Sequence, residues 1–591
     1  MPTKLSSKFK SVIFIILIII LGAVSYYNCL GGDFIWDDVG LVKDNIYIRN
    51  LSALPNVFTK NIWSGIGIGS NVYRPLQMVT YFADYSFWEL NPPGFHLTSV
   101  LLHILAALAL YWLISLLFNN QILALFSSLM FIAHPVHVEA VTYISGRADP
   151  LVTIFILVSF VFYLKFLRSP SRASRVIMLL SFIFALLSRE NALILPVLLL
   201  IYHYISKKKL AIKQFWPWLV IAGIYIGLRL IFMNTVLYEV PAGSTLLQRL
   251  PGFLAALTRY TRILFIPTDL HMEYGNLFFS FLCPKVILGA GIIVFLLIYI
   301  FKYRKTNPLV SFSLSWFIIA LLPASNLYPI NSYMAEHWLY LPSIGFFIIL
   351  GRLFTSWYEK YRFKFMTLGL LICLLFSYSY LTIKQNTYWR SARVFFERTL
   401  KYAPHSFRVY YNLGNVFSDA QEHVRAIKLY LKAIEINPLY AEAYNNIGNT
   451  LVALGRNEEG INYYRQALGL NNALPEAYYN LGNAYYNLGQ KDKSIEMLKK
   501  SLELRPVYLE ACNNLASGYA EAGNLDEAIR LWNKCVKLDP NFVVAHFNLA
   551  VFYFERKEFA LAIKHCNKVL ALGGQVDQRF LELLKPFRNK K

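Results

Sequence analysis

Charged residues are scarce in this chain of 591 residues: they make up 15% of it, against about a quarter in typical soluble domains. Hydrophobic residues make up 56%, which excludes a disordered chain. A wholly soluble protein is also a poor match, because such a composition is more apolar than that of ordinary globular domains. The sequence therefore indicates a membrane protein, and its length leaves room for a further domain.

Acidic residues are few as well, 34 against 57 basic ones, and the formal net charge is +23. This excess could suggest nucleic-acid binding, yet much of it lies between apolar runs, where basic residues set the orientation of membrane helices. No nucleic-acid partner is therefore expected. The six cysteines show no CxxC spacing, so neither a disulfide framework nor a zinc site is predicted.

Long apolar runs fill the first two thirds of the chain, and a helix of about 20 such residues crosses a membrane. We predict about eleven spans, in an all-α polytopic bundle over residues 1–389, with the first as an uncleaved anchor. A further run, 250–267, is interrupted by Arg259 and Arg262 and is not expected to cross. The predicted spans are 11–30, 96–118, 121–140, 150–167, 176–189, 191–206, 215–233, 285–301, 309–323, 336–354 and 365–383.

The basic clusters give the orientation. With eleven spans and a cytoplasmic N-terminus, each cluster lies on the cytoplasmic side, as the positive-inside rule requires. The chain beyond residue 384 then emerges on the periplasmic or luminal side of a bacterial cytoplasmic or endoplasmic reticulum membrane. Most carboxylates of this half fall on the same side, where we expect the chemistry. The clusters are Lys165/Arg168/Arg172/Arg175, Lys207/Lys208/Lys209/Lys213, Lys302/Arg304/Lys305 and Lys360/Arg362/Lys364.

The last third of the chain repeats every 34 residues from Phe407 onward. This period, with its aromatic, glycine, alanine and proline positions, is that of the tetratricopeptide repeat (TPR), a helix–turn–helix unit. We predict a TPR superhelix over residues 390–576, made of a half repeat and five full repeats, and a terminal cap over 577–591. Cys512, Cys535 and Cys566 fall on packing positions and are expected to be small core residues.

Asparagine recurs in these repeats at one position in all five and at a second position, three residues later, in the first three. A primary amide donates and accepts, so such a row can hold an extended polypeptide by its backbone. The alternative is hydrogen bonding within the repeat array itself. The predicted acceptor-binding residues are Asn412, Asn415, Asn446, Asn449, Asn480, Asn483, Asn514 and Asn548.

Three kinds of polar motif accompany the predicted spans. Asp37 and Asp38 follow the first span, and adjacent carboxylates can do acid–base or metal chemistry, or can be solvated charges at an interface. Arginines suit a phosphate through bidentate contacts, or pair with nearby acids to hold helices together; they are Arg74, Arg147 and Arg189. A third group could bind a metal, although no HExxH motif is present; it comprises His134, His137 and Glu139.

Together these motifs resemble the transmembrane-and-TPR-containing (TMTC) protein O-mannosyltransferases, and through them the GT-C glycosyltransferases. The resemblance rests on Trp36-Asp37-Asp38, Tyr73-Arg74-Pro75-Leu76, His134-Pro-Val-His137-Val-Glu139, Gly146-Arg147-Ala-Asp149, Arg189-Glu190-Asn191-Ala192 and Glu336…Tyr340-Leu-Pro-Ser343. Two positions depart from the family, which usually has Lys at Arg189 and Arg at His337. The repeat array is also shorter than in many members, which leaves the choice of acceptor open.

The resemblance implies transfer of a sugar from a polyprenyl or dolichyl phosphate to an acceptor on the external face. It places the catalytic carboxylate in the first external loop, at Asp37 or Asp38, and the phosphate and sugar of the donor among Arg74, His134, His137, Glu139, Arg147, Asp149, Arg189, Glu190, Glu336 and Tyr340. No tightly bound cofactor or structural metal is expected, and a divalent cation stays an open question.

Three functions fit this sequence. The first is transfer of a hexose, expected to be mannose, to Ser or Thr of exported proteins that the repeats bind. The second keeps the enzyme but makes the acceptor a glycolipid or a glycan. The third is a non-catalytic membrane scaffold that displays the repeats to a partner.

Overall fold

The computed structural model describes residues 7–207, 215–233, 245–275, 277–327, 330 and 332–588, and every regular element among them is helical. The all-α prediction is therefore confirmed. Of the basic residues that gave the orientation, Lys208, Lys209 and Lys213 lie outside the described residues. The chain divides into two compact units, which are described separately below. Unit 1 comprises Met1–Lys43, Leu54–Ile62 and Gly69–Pro404, and unit 2 comprises Asp44–Ala53, Trp63–Ile68 and His405–Lys591.

Unit 1 is a bundle of apolar helices. Several of them begin at a proline, whose fixed φ suits the first helical position and whose missing N–H is not needed there. The helices are α1 Ser7–Tyr26, α2 Pro75–Trp88, α3 Pro92–Phe118, α4 Gln121–Ala133, α5 Val138–Val141, α6 Ala148–Arg168, α7 Arg172–Ser188, α8 Leu195–Ser206, α9 Trp216–Phe232, α10 Leu246–Phe265, α11 Pro284–Tyr303, α12 Pro308–Leu321, α13 Ser343–Tyr358, α14 Lys364–Thr387 and α15 Ala392–Tyr402.

Five helical segments in the described residues are long and apolar enough to cross a membrane, and a sixth is bent by 55° at His134-Pro135. Shorter apolar helices accompany them, so the chain is a membrane protein, while the count of eleven spans stays a prediction. Helix α10, which covers the run not expected to cross, is not among the six. The six are Phe9–Gly31, Pro92–Phe118, the bent pair Gln121–Ala133 and Pro135–Val141, Ile144–Arg168, Pro284–Tyr303 and Tyr361–Thr387.

In its described part, unit 2 contains five helix pairs and a last helix. In the first pair a Cβ on Gly414 would lie 2.5 Å from Cε1 of Tyr430, so glycine lets the two helices approach. Cys512, Cys535 and Cys566 are buried, as predicted. The helices are α16 Phe407–Asp419, α17 His423–Ile436, α18 Ala441–Ala453, α19 Asn457–Leu470, α20 Pro475–Asn487, α21 Lys491–Leu504, α22 Leu509–Glu521, α23 Leu525–Leu538, α24 Val543–Glu555, α25 Phe559–Ala571 and α26 Gln578–Arg588.

The helices at the two ends of the predicted repeat array belong to different units, α15 to unit 1 and α26 to unit 2. Helix α15, which sequence assigned to a half repeat, lies in unit 1, whose last segment ends at Pro404 rather than at the predicted 389. At the other end Leu584 of α26 is fully buried against Ala550, Ala562 and Cys566. The last helix therefore covers apolar surface of the final repeat, which is what a terminal cap does.

Candidate active site

The loop that follows α1 holds two carboxylates, Asp37 and Asp38, in a tight turn of unit 1. Trp36 has a positive φ of 56°, and its ring packs against Phe395 and Phe396. A non-glycine residue in this region of backbone space is uncommon and is held by its surroundings. The turn thereby fixes the direction in which the side chains of Asp37 and Asp38 leave the backbone.

The Asp38 carboxylate holds the loop in place through hydrogen bonds. Its Oδ1 accepts hydrogen bonds from the backbone N–H of Ser145, at 2.7 Å, and from the Ser145 hydroxyl, at 2.5 Å. Its Oδ2 accepts from the backbone N–H of Ile35 at 3.3 Å. The side chain is 1% exposed. Asp38 therefore ties the first loop to the turn that contains Ser145.

That turn depends on Gly146. A Cβ at this position would lie 2.5 Å from the backbone oxygen of Glu139 and 3.0 Å from Cα of Ala140. Backbone atoms cannot move aside as a flexible side chain can, so a larger residue would open the turn. The glycine of the Gly146-Arg147-Ala-Asp149 motif thus keeps Ser145 within reach of Asp38.

Asp37 is the more accessible of the two carboxylates. It is half-buried, and its backbone N–H donates to the Tyr143 hydroxyl at 3.2 Å. Burial raises the pKa of Asp37 to about 6, although the Tyr143 hydroxyl and the charge of Arg74 oppose the shift. Burial likewise raises the pKa of Asp38 to about 7, against its hydrogen bonds with Ser145. A carboxylate with a pKa near neutrality is suited to accepting a proton.

A cluster of charged side chains surrounds Glu190, and the charge of one of them, Arg74, also acts on Asp37. Arg74, whose charge reaches Asp37, has Nη2 3.9 Å from Oε1 of Glu190. The charges of Arg74, Arg189 and Arg229 all act on the Glu190 carboxylate. Arg189 in turn pairs with Asp149. Residues from four separate parts of the sequence therefore meet in one partly exposed cluster with three arginines.

Arg147, by contrast, is a packing residue in this structure. It is fully buried, and its guanidinium donates to Asp84 at 2.5 Å, to the backbone oxygen of Phe95 at 2.8 Å and to Thr80 at 3.1 Å. The guanidinium also lies 4.9 Å from the ring centre of Tyr81. These partners favour the alternative reading of this arginine, that it holds helices together.

The histidines of the His134-Pro-Val-His137 motif are hydrogen-bonded within the protein itself. His134 accepts from the backbone N–H of Val136, so its other nitrogen must donate to the Leu264 oxygen, 3.2 Å away. His137 donates through Nδ1 to the Phe131 oxygen at 2.8 Å and has Nε2 3.0 Å from the Ser343 hydroxyl. Both nitrogens of each ring are therefore occupied, which leaves neither ring free to ligate a metal.

Tyr340 is likewise buried and internally bonded. Its hydroxyl lies 2.6 Å from Nδ1 of His103, which donates through Nε2 to the Ile132 oxygen. Among the described residues no three His, Cys, Asp or Glu side chains group as metal ligands would. His134, His137 and Tyr340 thus form hydrogen bonds with other residues of unit 1.

Glu139 and Glu336 are also hydrogen-bonded within unit 1. Glu139 accepts from Nδ1 of His337 at 2.6 Å and from the His337 backbone N–H at 3.0 Å. Glu336 accepts from the Tyr274 hydroxyl at 2.5 Å and from the His271 backbone N–H at 2.6 Å. The charges of Asp149, Arg189 and Arg74 reach the imidazole of His337. Glu139 therefore orients a histidine that borders the arginine cluster.

Sequence reasoning did not select two residues of this site, Arg229 and Tyr225. They lie one turn apart on α9, Arg229 donates to the backbone oxygen of Asn71 at 3.2 Å, and the Tyr225 ring is 6.3 Å from that of Tyr73. A single arginine inside an apolar helix was the signal that could have found them, because such a residue is costly in a membrane and usually functional.

The asparagine row of unit 2 forms hydrogen bonds between repeats. Asn446 donates to Oδ1 of Asn415 at 2.7 Å, and Asn514 donates to Oδ1 of Asn483 at 2.9 Å. Asn480 and Asn548 donate to the amide oxygens of Asn445 and Asn513, and Asn449 accepts from Tyr464. Asn412 donates to a carbonyl of its own helix. The alternative of bonding within the array is thus realised, while all eight amides stay partly exposed.

The fold and the site define a helical membrane protein with TPRs and a cluster of carboxylates and arginines. TPR family models match residues 407–440, 429–462, 448–489, 475–508 and 509–542, which confirms TPRs over residues 407–542. Among solved structures the chain is similar to YrrB, titled a TPR protein with an unusual peptide-binding site, at 25% identity over 32% of this chain and 97% of that one, with a TM-score of 0.27.

The predicted resemblance to TMTC proteins is confirmed by curated relatives. The chain is 28% identical to protein O-mannosyl-transferase F38B6.6 of Caenorhabditis elegans, over 72% of this chain and 63% of that protein. It is 27% identical to human protein O-mannosyl-transferase TMTC1, over 71% of this chain and 54% of that protein. It is 24% identical to mouse protein O-mannosyl-transferase TMTC3, over 73% of this chain and 51% of that protein. The chain thus spans between about half and 63% of the length of these relatives.

Proposed function

We propose that this protein is an integral membrane glycosyltransferase. It moves a hexose, taken to be mannose, from a polyprenyl or dolichyl phosphate to Ser or Thr hydroxyls of exported proteins. The observation that carries the proposal is the placement of a half-buried carboxylate, Asp37, within reach of the charge of Arg74 in a cluster of three arginines. The names of the similar proteins support the same reaction.

Asp37 is the proposed catalytic base. A Ser or Thr hydroxyl is too weak an acid to ionise at neutral pH, so its proton must leave as the oxygen bonds to C1 of the sugar. Asp37 takes that proton while the bond between C1 and the phosphate oxygen breaks. Its pKa of about 6 leaves it largely ionised at neutral pH and still basic enough to accept the proton. Asp38 positions the loop rather than reacting.

The arginines are the proposed site of the donor phosphate. The leaving group departs as a phosphate carrying the bonding electron pair, so the transition state is stabilised by cations and needs no general acid. Arg74, Arg189 and Arg229 bring three such charges to one place, and two of their neighbours are the acids Asp149 and Glu190. His337 donates through Nδ1 to Glu139, so its unprotonated Nε2 can accept a hydrogen bond from a sugar hydroxyl of the donor.

The repeats are the proposed binding site for the acceptor polypeptide. Their amides are already bonded to one another, yet each stays partly exposed, and an amide row of fixed geometry is better preorganised to meet a peptide backbone. For this arrangement to work, the N-terminus must be cytoplasmic, and the first loop and the repeats must both be periplasmic or luminal.

A transfer assay with the purified full-length protein tests the proposal. The donors are radiolabelled polyprenyl-phospho-mannose and its glucose analogue, the acceptor is a Ser/Thr-rich polypeptide, and a version with every Ser and Thr replaced by Ala is the control. We expect mannose on the first acceptor only, and a parallel assay with EDTA measures whether transfer requires a divalent cation. Transfer from neither donor would refute the enzyme, and transfer to lipid alone would refute the protein acceptor.

A further inference from the structure

Two short segments of the first external loop belong to unit 2 rather than to unit 1. They are Asp44–Ala53 and Trp63–Ile68, here called the loop clip. The two segments close on each other: the Ile46 backbone N–H lies 3.4 Å from the Gly65 oxygen, and a Cβ on Gly65 would lie 1.8 Å from Oδ1 of Asn45. A side chain at residue 65 would therefore have to displace the Asn45 amide.

The clip is packed against the repeats through apolar side chains. Ile46 is 8% exposed and belongs to one apolar cluster with residues of α21, α22, α23 and α24, among them Leu509 and Trp532. Tyr47 packs against the same cluster. A loop that merely passed over the repeats would not bury an isoleucine in their core.

Two successive links between repeats also contact the clip. Arg49 Nη1 lies 3.6 Å from Oδ2 of Asp539, in the link between α23 and α24. Gly67, with a φ of 75°, has its missing Cβ 2.7 Å from Cγ of Arg505 and 2.8 Å from Cγ2 of Val507, in the link between α21 and α22. Positions 505 and 539 are one repeat of 34 residues apart, so the clip contacts the same edge of two neighbouring repeats.

The turn between α23 and α24 does not need the negative charge of Asp539. Its Oδ1 accepts from the backbone N–H two residues on, at 2.9 Å, but Asn437 and Asn471 make the same bond at the same position of earlier repeats. An asparagine therefore suffices for the turn. Compared with asparagine, the Asp539 carboxylate adds a negative charge next to Arg49, and its side chain is only 5% exposed.

We propose that the loop clip is a positioning element for the acceptor: it fixes the third and fourth repeats to the loop that carries Asp37. Ile46 follows Asp37 by nine residues in the sequence, which limits the distance the chain can span between them to about 30 Å. Holding a bound acceptor near the base converts its reaction into an intramolecular one and raises its effective concentration. The inference rests on the proposed function and names Ile46, Arg49, Gly67 and Asp539 as its residues.

The first test is a double-mutant cycle on the full-length protein. Arg49→Gln, Asp539→Asn and the double variant are assayed with a long Ser/Thr polypeptide and with a Ser/Thr hexapeptide, which offers the amide row of the repeats far fewer backbone groups. We expect the KM for the long acceptor to rise about fivefold in each single variant and no further in the double, with kcat and transfer to the hexapeptide unchanged. Unchanged KM values, additive effects, or equal losses on both acceptors would overturn the proposal.

A second pair of variants tests the contact without removing a charge. Gly67→Asn introduces a residue that tolerates a left-handed backbone, and its side chain would meet Arg505 and Val507. Gly69→Asn is the control, because a Cβ at that position meets nothing within 4 Å. Gly67→Asn should raise the KM for the long acceptor, and Gly69→Asn should not. Equal KM values in both variants would contradict the proposal.

Amide hydrogen exchange separates failure of this proposal from failure of the proposed function. Residues 44–53 should exchange slowly in the wild type and at least several times faster in Asp539→Asn, whether or not the protein transfers any sugar. If exchange changes in this way but no donor is used, only the enzymatic function fails. If residues 44–53 exchange at the rate of an open loop in the wild type, the clip itself is refuted.

Discussion

At the scale of single residues, Asp37 and Asp38 have different proposed roles, whereas the sequence could assign a role only to the pair. Asp38 accepts three hydrogen bonds within the protein, two of them from Ser145, whereas Asp37 is half-buried beside Arg74. Adjacent residues of the same type cannot be told apart by pattern. Their roles are set by the partner each side chain meets, and the partner of Asp38 lies 107 positions further along the chain.

The raised pKa of Asp37 predicts the pH dependence of transfer. The base must be ionised, so kcat/KM should fall about tenfold per pH unit below a midpoint near 6 and level off above it. Because the Tyr143 hydroxyl lowers the pKa of Asp37, Tyr143→Phe should move the midpoint to higher pH. The measurement is the pH profile of kcat/KM for both proteins, and a flat profile between about pH 5 and pH 7 would argue against Asp37 as the base.

The arginines predict opposite outcomes for two similar substitutions. Arg147→Gln leaves Asp84 buried without its cation and should lower the free energy of unfolding by about 3–5 kcal/mol. Arg229→Gln should leave the thermal midpoint in detergent nearly unchanged and raise the KM for the lipid donor about tenfold or more. The two quantities are measured on both variants. A normal donor KM in Arg229→Gln would remove that residue from the phosphate site.

The site could be predicted from the sequence only in part. The motifs that contain Asp37, Arg74, Asp149, Arg189 and Glu190 were selected, because charges beside long apolar runs are costly and stand out. Whether an arginine faces a cleft or a buried acid depends on helices far apart in the sequence, so the role of Arg147 was not predictable. Arg229 was missed because it stands alone, without a motif around it.

At the scale of elements, the repeats were more predictable than the membrane helices. Each TPR packs on its neighbour through the same positions, so one period of 34 residues specifies all the helix pairs of unit 2. The apolar runs of unit 1 give helix positions but not their ends or bends; the helix that follows Gln121, for example, breaks at His134-Pro135 because proline cannot continue the hydrogen-bond ladder. The loop clip left no signal of its own in the sequence.

The asparagine row predicts different effects at equivalent positions. Asn446 donates to Asn415 of the preceding repeat, so Asn446→Ala should cost about 1 kcal/mol of repeat stability. Asn412 donates within its own helix, so Asn412→Ala is the matched control and should cost less. Hydrogen exchange over α16 to α18 in the full-length protein measures both. Equal protection in the two variants would mean that the inter-repeat bond does not stabilise the array.

At the scale of the whole molecule, the proposed reaction requires a definite membrane topology. With Cys283 and Cys373 replaced by Ser, single cysteines are placed at the exposed positions Ser52, Ser169 and Glu503. A membrane-impermeant maleimide should label positions 52 and 503 from the periplasmic or luminal side and position 169 only from the cytoplasmic side. Labelling of position 503 from the cytoplasmic side would separate the repeats from any exported acceptor.

The account depends above all on the chemical role of Asp37, and one comparison tests it directly. Initial rates of mannose transfer from polyprenyl-phospho-mannose to a Ser/Thr polypeptide are measured for the wild type and Asp37→Asn, with donor binding measured in parallel. The account predicts that Asp37→Asn binds the donor normally and transfers about 100- to 10,000-fold more slowly. Transfer by Asp37→Asn at the wild-type rate would contradict it.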